Sequence, residues 1–352
     1  MIYISRRTDV SLKKAIAIKV IAILLSLVVC ALVLFVMTRL NPLDIYIAMF
    51  KGSFSTQRKF WALLQNTAIL LCISLAVTPA FKMRFWNLGA EGQVLMGALV
   101  SATFMFYIQD GWPSWLLILV MLVTSVIAGL IWAGLPGFFK AKFGTNETLF
   151  TLMMNYVAIQ LVKFCIAVWV PNGSSVMGVL NRQTQCGWIP SLFGQKYLIN
   201  ILTVAALTVL MFIYLKYSKQ GYEISVVGES EKTARYIGIN VKKVIMRTAC
   251  ISGAIGGLAG FLLCAGTGHT VSATLAGGNG FTAVLVSWLA KFNPFGMVLT
   301  SLLIVFLQKG SGEIAQAFRL SDNISDVTTG IILFFIIGSE FFTNYRIHLR
   351  RK

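Results

Sequence analysis

The sequence predicts an all-α polytopic membrane protein with about ten transmembrane or re-entrant helices. Composition is the first reason. The chain has 352 residues, of which 57% are hydrophobic and only 12% charged, with a mean hydropathy of +0.79. A soluble chain of this length carries roughly twice that charged share. The second reason is that apolar residues come in long runs rather than at core spacing. Residues 20–37 hold no charge and match the length that crosses a bilayer core of about 30 Å. The third is backbone chemistry: in lipid only helices or closed barrels satisfy their own N–H and C=O groups. These runs are too long and continuous for barrel strands.

The net charge of +18 does not indicate nucleic acid, because Lys and Arg gather at span ends, where they set orientation and meet anionic lipid. Of the six cysteines, Cys30, Cys72, Cys165, Cys250 and Cys264 lie within apolar runs and Cys186 in a polar loop. No CxxC pair, disulfide framework or metal site is readable. Arg6, Arg7, Lys13, Lys14 and Lys19 precede the first apolar run. That run is longer than a signal core and lacks a small-x-small exit, so a retained first span is expected.

Expected spans are 18–38, 61–80, 87–108, 114–136, 147–170, 198–216, 244–266, 281–291, 295–309 and 322–342. The basic N-terminus places the start in the cytoplasm. Six crossings return the chain there at 217–243, with Lys219, Lys232, Arg235, Lys242 and Lys243; the tail holds Arg346, Arg350, Arg351 and Lys352. Loops with Lys82 and Arg84, and with Lys140 and Lys142, fall inside by the same count. Loops 109–113 and 171–197 are poor in basic residues and carry or adjoin Trp112, Trp115, Trp169 and Trp188, as an outer interface requires. Residues 39–60 break the pattern, because they fall outside yet contain Arg39, Lys51, Arg58 and Lys59. Segment 281–291 rises only about 16 Å, and 294–309 is marginal. Both are read as a pair of crossings or re-entrant helices, which keeps the tail inside.

No GxxxxGK[ST] phosphate loop is present, and with His269 and His348 as the only histidines no HExxH or Ser-His-Asp set assembles. Two Gly-rich segments do open helices: Phe85-Trp86-Asn87-Leu88-Gly89-Ala90-Glu91-Gly92-Gln93, and Ala276-Gly277-Gly278-Asn279-Gly280-Phe281-Thr282. Broken or short helices in corresponding places of two halves point to a midplane solute site. Ordinary helix starts capped by Asn87 or Asn279 are the plain alternative. Glu91 lies one turn into a span, where a carboxylate is costly unless paired or wet. It either lines a pathway or stabilises a helix N-terminus, and the second role is favoured. Glu147, Thr151 and Asn155 recur every four residues, so they form a polar stripe that faces protein or water rather than lipid. Asn87, Glu91, Asn155 and Asn279 are the candidates for solute contact.

The segment 217–243 is expected to be a cytoplasmic loop holding one short polar helix, capped by Ser230 and ended by Gly238. Small Ala234 and Gly238 with Tyr236 would fit a groove on a partner; a solvated helix at the lipid surface is the alternative.

At these residues the chain resembles the permease family of bacterial importers for branched-chain amino acids, ribose and nucleosides, nearest its nucleoside and simple-sugar branch. FWNLGAEGQ at 85–93, GTNETLFTLMMNYVA at 144–158, VGESEKTARYIGIN at 227–240 and GGNGFTAVLVSWLAKFNPFG at 277–296 are similar to that branch's motifs in order. Trp86, Trp288 and Lys291 depart from its pattern. The resemblance implies a single permease domain over 1–352 with a type II-like ABC importer fold, a cytoplasmic coupling loop at 217–243 and an extracytoplasmic loop at 171–197. It implies a non-catalytic chain in a bacterial plasma membrane, without a cofactor of its own. ATP and Mg would bind a partner ATPase that docks on Gly228, Glu231, Ala234, Arg235 and Gly238. A second permease subunit, identical or a sister, a solute-binding lipoprotein and membrane lipid are the other implied partners. Nucleoside is the leading solute, then a sugar or a riboflavin-like heterocycle. A stand-alone ion-coupled transporter, with Glu91 as its titrating group, is the competing reading.

Overall fold

The computed structural model describes residues 2–6, 12–39, 41–109, 111–170, 177–319 and 322–349. Arg7, Arg350, Arg351 and Lys352, read above as charge markers, lie outside the described residues, as do positions 171–176 of the outer loop. The order is β1 (Ile2–Arg6), α1 (Leu12–Thr38), α2 (Pro42–Phe54), α3 (Gln57–Lys82), α4 (Ala90–Ile108), α5 (Ser114–Phe143), α6 (Glu147–Trp169) and α7 (Leu198–Tyr217). Then come α8 (Lys219–Glu229), α9 (Glu231–Tyr236), α10 (Val241–Leu263) with a π turn at Cys264–Gly268, α11 (Asn279–Leu289), α12 (Pro294–Ala317), α13 (Asp322–Asn344) and β2 (Tyr345–Leu349). Among the described residues, 7 helices are long and apolar enough to cross a bilayer, and Val20–Val36, Asn279–Leu289 and Gly330–Thr343 are shorter apolar stretches. The seven account for the expected spans 61–80, 87–108, 114–136, 147–170, 198–216, 244–266 and 295–309, and the three shorter stretches fall at 18–38, 281–291 and 322–342.

The chain divides into two compact units, Leu64–Leu302 and the combination of Met1–Leu63 with Leu303–Lys352. In the latter, β1 and β2 pair antiparallel, with Ile2 opposite Leu349 and Arg6 opposite Tyr345. Paired strands share one side of a membrane, so an even number of crossings separates the two ends. Segment 39–60, expected to be a loop, instead holds α2. Asn41 caps it by accepting a hydrogen bond from Leu43 N at 3.1 Å, and Pro42 suits its first turn. Ile45 and Met49 are buried while Leu43, Ile47, Phe50 and Phe54 are exposed, an apolar outer face that suits a helix lying at lipid. Lys59 in this basic segment pairs with Glu313 at 2.8 Å, which offsets part of the charge that conflicts with an outer location. Glu313 is available because α12 continues past Lys309, its expected end, to Ala317.

The larger unit is organised around α10. Gly253, Gly257 and Gly260 lie along it at helical spacing, and a Cβ on each would strike backbone: Gly129 O, Ser125 O and Val94 O respectively. Gly97 and Gly129 approach α10 in the same way from α4 and α5. Lipid gives helices no hydrophobic reason to associate, so close backbone packing at small residues supplies the attraction. Ser125 Oγ donates to Gly97 O at 2.9 Å, and the hydroxyls of Ser101 and Ser125 lie 2.7 Å apart. α3 joins α11 by similar means, with Ser287 Oγ donating to Ser74 O at 3.0 Å and Thr78 Oγ1 at 3.2 Å from Ser287 Oγ.

Backbone on both sides of Gly257 leaves nothing flexible to move aside. Gly257→Leu should lower stability by more than the about 1–3 kcal/mol of ordinary overpacking, seen as a lower melting temperature in detergent. Gly312→Ala, where a Cβ meets nothing within 4 Å, should leave melting unchanged or slightly raised.

Candidate functional site

Pro79 lies near the end of α3, and the chain turns after Lys82 into the first Gly-rich lead-in, so α4 starts at Ala90 rather than at 87. A helix start leaves several N–H groups without intrahelical partners, and lipid offers none. Here other helices supply them. Asn155 on α6 accepts from Gly92 N at 2.8 Å and donates Nδ2 to Leu88 O at 2.8 Å. Thr151, one turn earlier, accepts from Leu88 N at 3.1 Å through Oγ1. Asn87 accepts from Gly89 N and from Gln93 Nε2, each at 3.0 Å, and donates Nδ2 to Ser252 Oγ on α10 at 2.9 Å. The stripe Glu147, Thr151 and Asn155 is buried along its whole length, and Glu147 pairs with Lys140 at the end of α5 at 2.7 Å.

The second lead-in meets the first. The Glu91 carboxylate accepts from Gly278 N through Oε1 and from Gly280 N through Oε2, both at 2.9 Å. It is therefore a cap in trans for α11, while standing in the first turn of α4. Two helix N-termini converge on one carboxylate, and both macrodipoles favour its negative charge. Gly277 and Gly278 reach this geometry with φ of 58° and 73°, which glycine adopts without steric cost. A Cβ at Gly280 would come within 2.7 Å of Glu91 N. Half-buried Asn279 begins α11 between these two glycines.

Trp86 and Trp288, two of the departures noted above, touch each other with ring centroids 5.7 Å apart. Phe81 and Phe292 continue this aromatic row at 5.5 Å from Trp86 and 5.9 Å from Trp288. The Trp pair stays half-exposed, at 44% and 50%. Sequence reasoning missed Asn200, a fully buried residue of α7 whose amide has no hydrogen-bond partner among the described residues. A Cβ on Gly266, in the π turn of α10, would lie 2.6 Å from Asn200 Oδ1. π turns recur at functional positions, and one amide inside an apolar helix was the available signal.

The short helix expected between Ser230 and Gly238 is α9, and a second helix, α8, precedes it. Ser230 divides them by accepting from Thr233 N at 3.2 Å at the start of α9, and Gly238, with φ of 85°, turns the chain toward α10. Ala234, expected to fit a groove on a partner, and Gly228, implied as a docking residue, do not face outward. Ala234 is fully buried with Met83, Phe85, Ile224, Val227 and Val244, and a Cβ on Gly228 would strike Lys82 O. Their smallness seats α8 and α9 against the end of α3 and the first lead-in. Glu231, Arg235 and Gly238 remain exposed, beside Tyr236 at 92% and Ile237 at 50%. Arg247 of α10 binds Glu223 of α8 at 2.9 Å, bracing the pair.

Residues 60–337 match the family model described as the permease component of the branched-chain amino acid transport system. The chain belongs to that permease family. The guanosine ABC transporter permease NupP of Bacillus subtilis is 28% identical over 91% of this permease and 92% of its own length. The glucose ABC transporter permease TsgB13 of Haloferax volcanii is 26% identical over 87% and 83%. The nucleoside ABC transporter permease NupB of Lactococcus lactis is 27% identical over 84% of each chain. As a member of this family the permease is an integral membrane, non-catalytic component of a transport system.

Hydrogen bonds to a charged group contribute about 1.5–3 kcal/mol each. Glu91→Gln keeps one acceptor but turns an NH₂ toward a backbone donor, and should cost about 1–3 kcal/mol, read as a lower melting temperature; Glu91→Ala should cost more. A second measurement concerns His269, just beyond α10, whose ring stacks on Trp188 at 3.7 Å between centroids. Burial, then the nearby Lys196 charge, pushes its pKa down to about 4. An unfolded chain takes up this proton near pH 6.5, so the folded state has its full advantage above pH 6.5 and loses it as pH falls toward 4. Melting temperature should fall across that window, and His269→Phe should flatten the slope.

Proposed function

We propose that this permease is the membrane subunit of an ATP-driven importer for nucleosides or a related small polar solute such as a sugar. The named solutes of the three relatives support this class: guanosine, nucleoside and glucose. The partners of the reading are a separate ATP-binding subunit, which holds ATP and Mg, a second permease subunit and a solute-binding lipoprotein. The chain sits in a bacterial plasma membrane with both ends in the cytoplasm, an orientation supported by the basic segment 217–243.

The observation that carries the reading is the exposed tip of α9. Tyr236 and Ile237 project from a helix whose opposite side, at Ala234, is sealed into a core with Phe85. A surface that exposes an aromatic and an aliphatic side chain beside Arg235 has the composition of a protein contact. A push there is transmitted through Ala234 to Met83 and Phe85, and Phe85 stands two residues before Asn87. The lead-in it reaches holds Asn87, Glu91 and Asn155, and Glu91 fastens the start of α11 at Asn279. We place the solute path beside this junction, where Glu91 and Asn279 are nearest to contact and Asn87 and Asn155 hold the shape. ATP binding and release on the partner would then bias two arrangements of the junction, a population shift in which the permease does no chemistry.

The test is a double variant, Arg235→Glu with Tyr236→Ala, in cells and in purified complex. Both side chains are exposed, so melting should be unchanged while co-purification of the ATPase and ATP-driven uptake fall at least tenfold. Wild-type uptake in this variant would overturn the coupling role. Uptake into vesicles that contain the permease alone, driven by an ion gradient, would favour the stand-alone transporter.

A further inference from the structure

A cavity of about 480 Å³ opens at the ends of α3 and α7, where α8 and the turn before α12 close it. Its cations are Lys82 and Lys216, and no acidic side chain among the described residues pairs with either. Of the two acids on adjoining α8, Glu223 is engaged by Arg247 at 2.9 Å, and Glu229, exposed at the helix's last position, is outside the cavity lining. Lys216 Nζ rests instead over the Phe212 and Tyr217 rings at 5.2 and 5.4 Å. Two unpaired ammonium groups beside one pocket repel each other and attract an anion.

The rest of the lining narrows the anion. Ser225 spends its proton on Gly221 O at 3.0 Å, so toward the cavity it offers only an acceptor, which suits a hydroxyl. Asn293 accepts from Phe295 N at 3.2 Å through Oδ1, which leaves its NH₂ to donate. Phe212 and Phe292 supply apolar walls. A phosphate that carries hydroxyls and adjoins an apolar stem fits all of these groups, whereas an ammonium headgroup would meet the two lysines. Lys82 ends α3 and Lys216 is the penultimate residue of α7, so both lie at helix ends where a membrane helix meets headgroups. Basic pockets between such helix ends bind anionic headgroups.

We propose that the cavity formed by Lys82, Lys216, Ser225 and Asn293 binds the headgroup of an anionic glycerophospholipid of the phosphatidylglycerol type. The cytoplasmic leaflet as its source rests on the orientation put forward above, but headgroup binding does not. The test is therefore made on detergent-purified full-length chain, without the ATPase and without sidedness. Native mass spectrometry and melting temperature are followed while phosphatidylglycerol, phosphatidylcholine or inorganic phosphate is titrated in.

Wild type should retain phosphatidylglycerol and gain melting temperature from it alone. Lys82→Gln with Lys216→Gln should weaken that binding about thirtyfold, from about 1 kcal/mol per lysine at an anionic lipid surface. If the double variant fails to fold, exposed Lys216→Gln alone should weaken it about fivefold. Lys163→Gln, an equal charge change at the far end of α6, should match wild type. Equal retention by wild type and the Lys82/Lys216 variant would overturn the proposal. So would an equal response to phosphatidylcholine, and an equal response to inorganic phosphate would make it a free-anion site. In a separate pull-down from cells that also express the ATPase, loss of its co-purification by the Lys82/Lys216 variant with unchanged lipid retention would make the cavity a protein dock and overturn the proposal as well.

Discussion

A helix that starts inside a membrane presents backbone N–H groups that lipid cannot satisfy, and the larger unit meets this constraint with side chains borrowed from elsewhere in the chain. Thr151 and Asn155 serve the start of α4, and Glu91 serves the start of α11. Because Glu91 itself belongs to α4, the two starts are solved together. Neither helix can shift alone without stranding polar groups, so the junction is a unit that moves or holds as one. This gives the Gly-rich segments their joint meaning: the glycines at 277 and 278 shape the approach, and the carboxylate determines where it ends.

The same unit links that junction to its other extremity. Ala234, on a helix of 6 residues, is buried beside Phe85, and Gly228 abuts the last residue of α3. A short helix has little stability of its own, so α9 holds its shape through this core and the cap at Ser230. That dependence suits a transmitting part, since a force on an isolated helix would be spent on unfolding it. The charge pair between Arg247 and Glu223 adds α10 to the same frame.

Much of the architecture was legible because long uncharged runs have one outcome in lipid. The runs at 61–80, 114–136, 147–170 and 198–216 became α3, α5, α6 and α7. Where polar residues interrupt a run, the reading failed in both directions. Lys309 was taken as an end, although a lysine can extend its ammonium outward while the helix continues; the exposed Lys309 does so within α12. Segment 42–54 looked like a loop because its apolar residues occupy two faces, one against protein and one outward. In the candidate site, the important residue types were visible, and the stripe on α6 followed from spacing alone. Their partners were not visible, because periodicity reports which face a residue occupies and not what that face meets. Glu91 finds its donors 187 and 189 positions away, and small Ala234 was assigned to an outer groove when it fills an inner one.

The glycine seam along α10 has a further consequence for how such a protein changes shape. Helices that interlock through large side chains can slide or roll as rotamers exchange, whereas Gly253, Gly257 and Gly260 meet neighbouring main chain and have no rotamers to exchange. The trio α4, α5 and α10 is thus built as a chassis to which Glu91 fastens the start of α11, and any rocking motion must be hinged at its margins, on the hydroxyl-lined seam between α11 and α3.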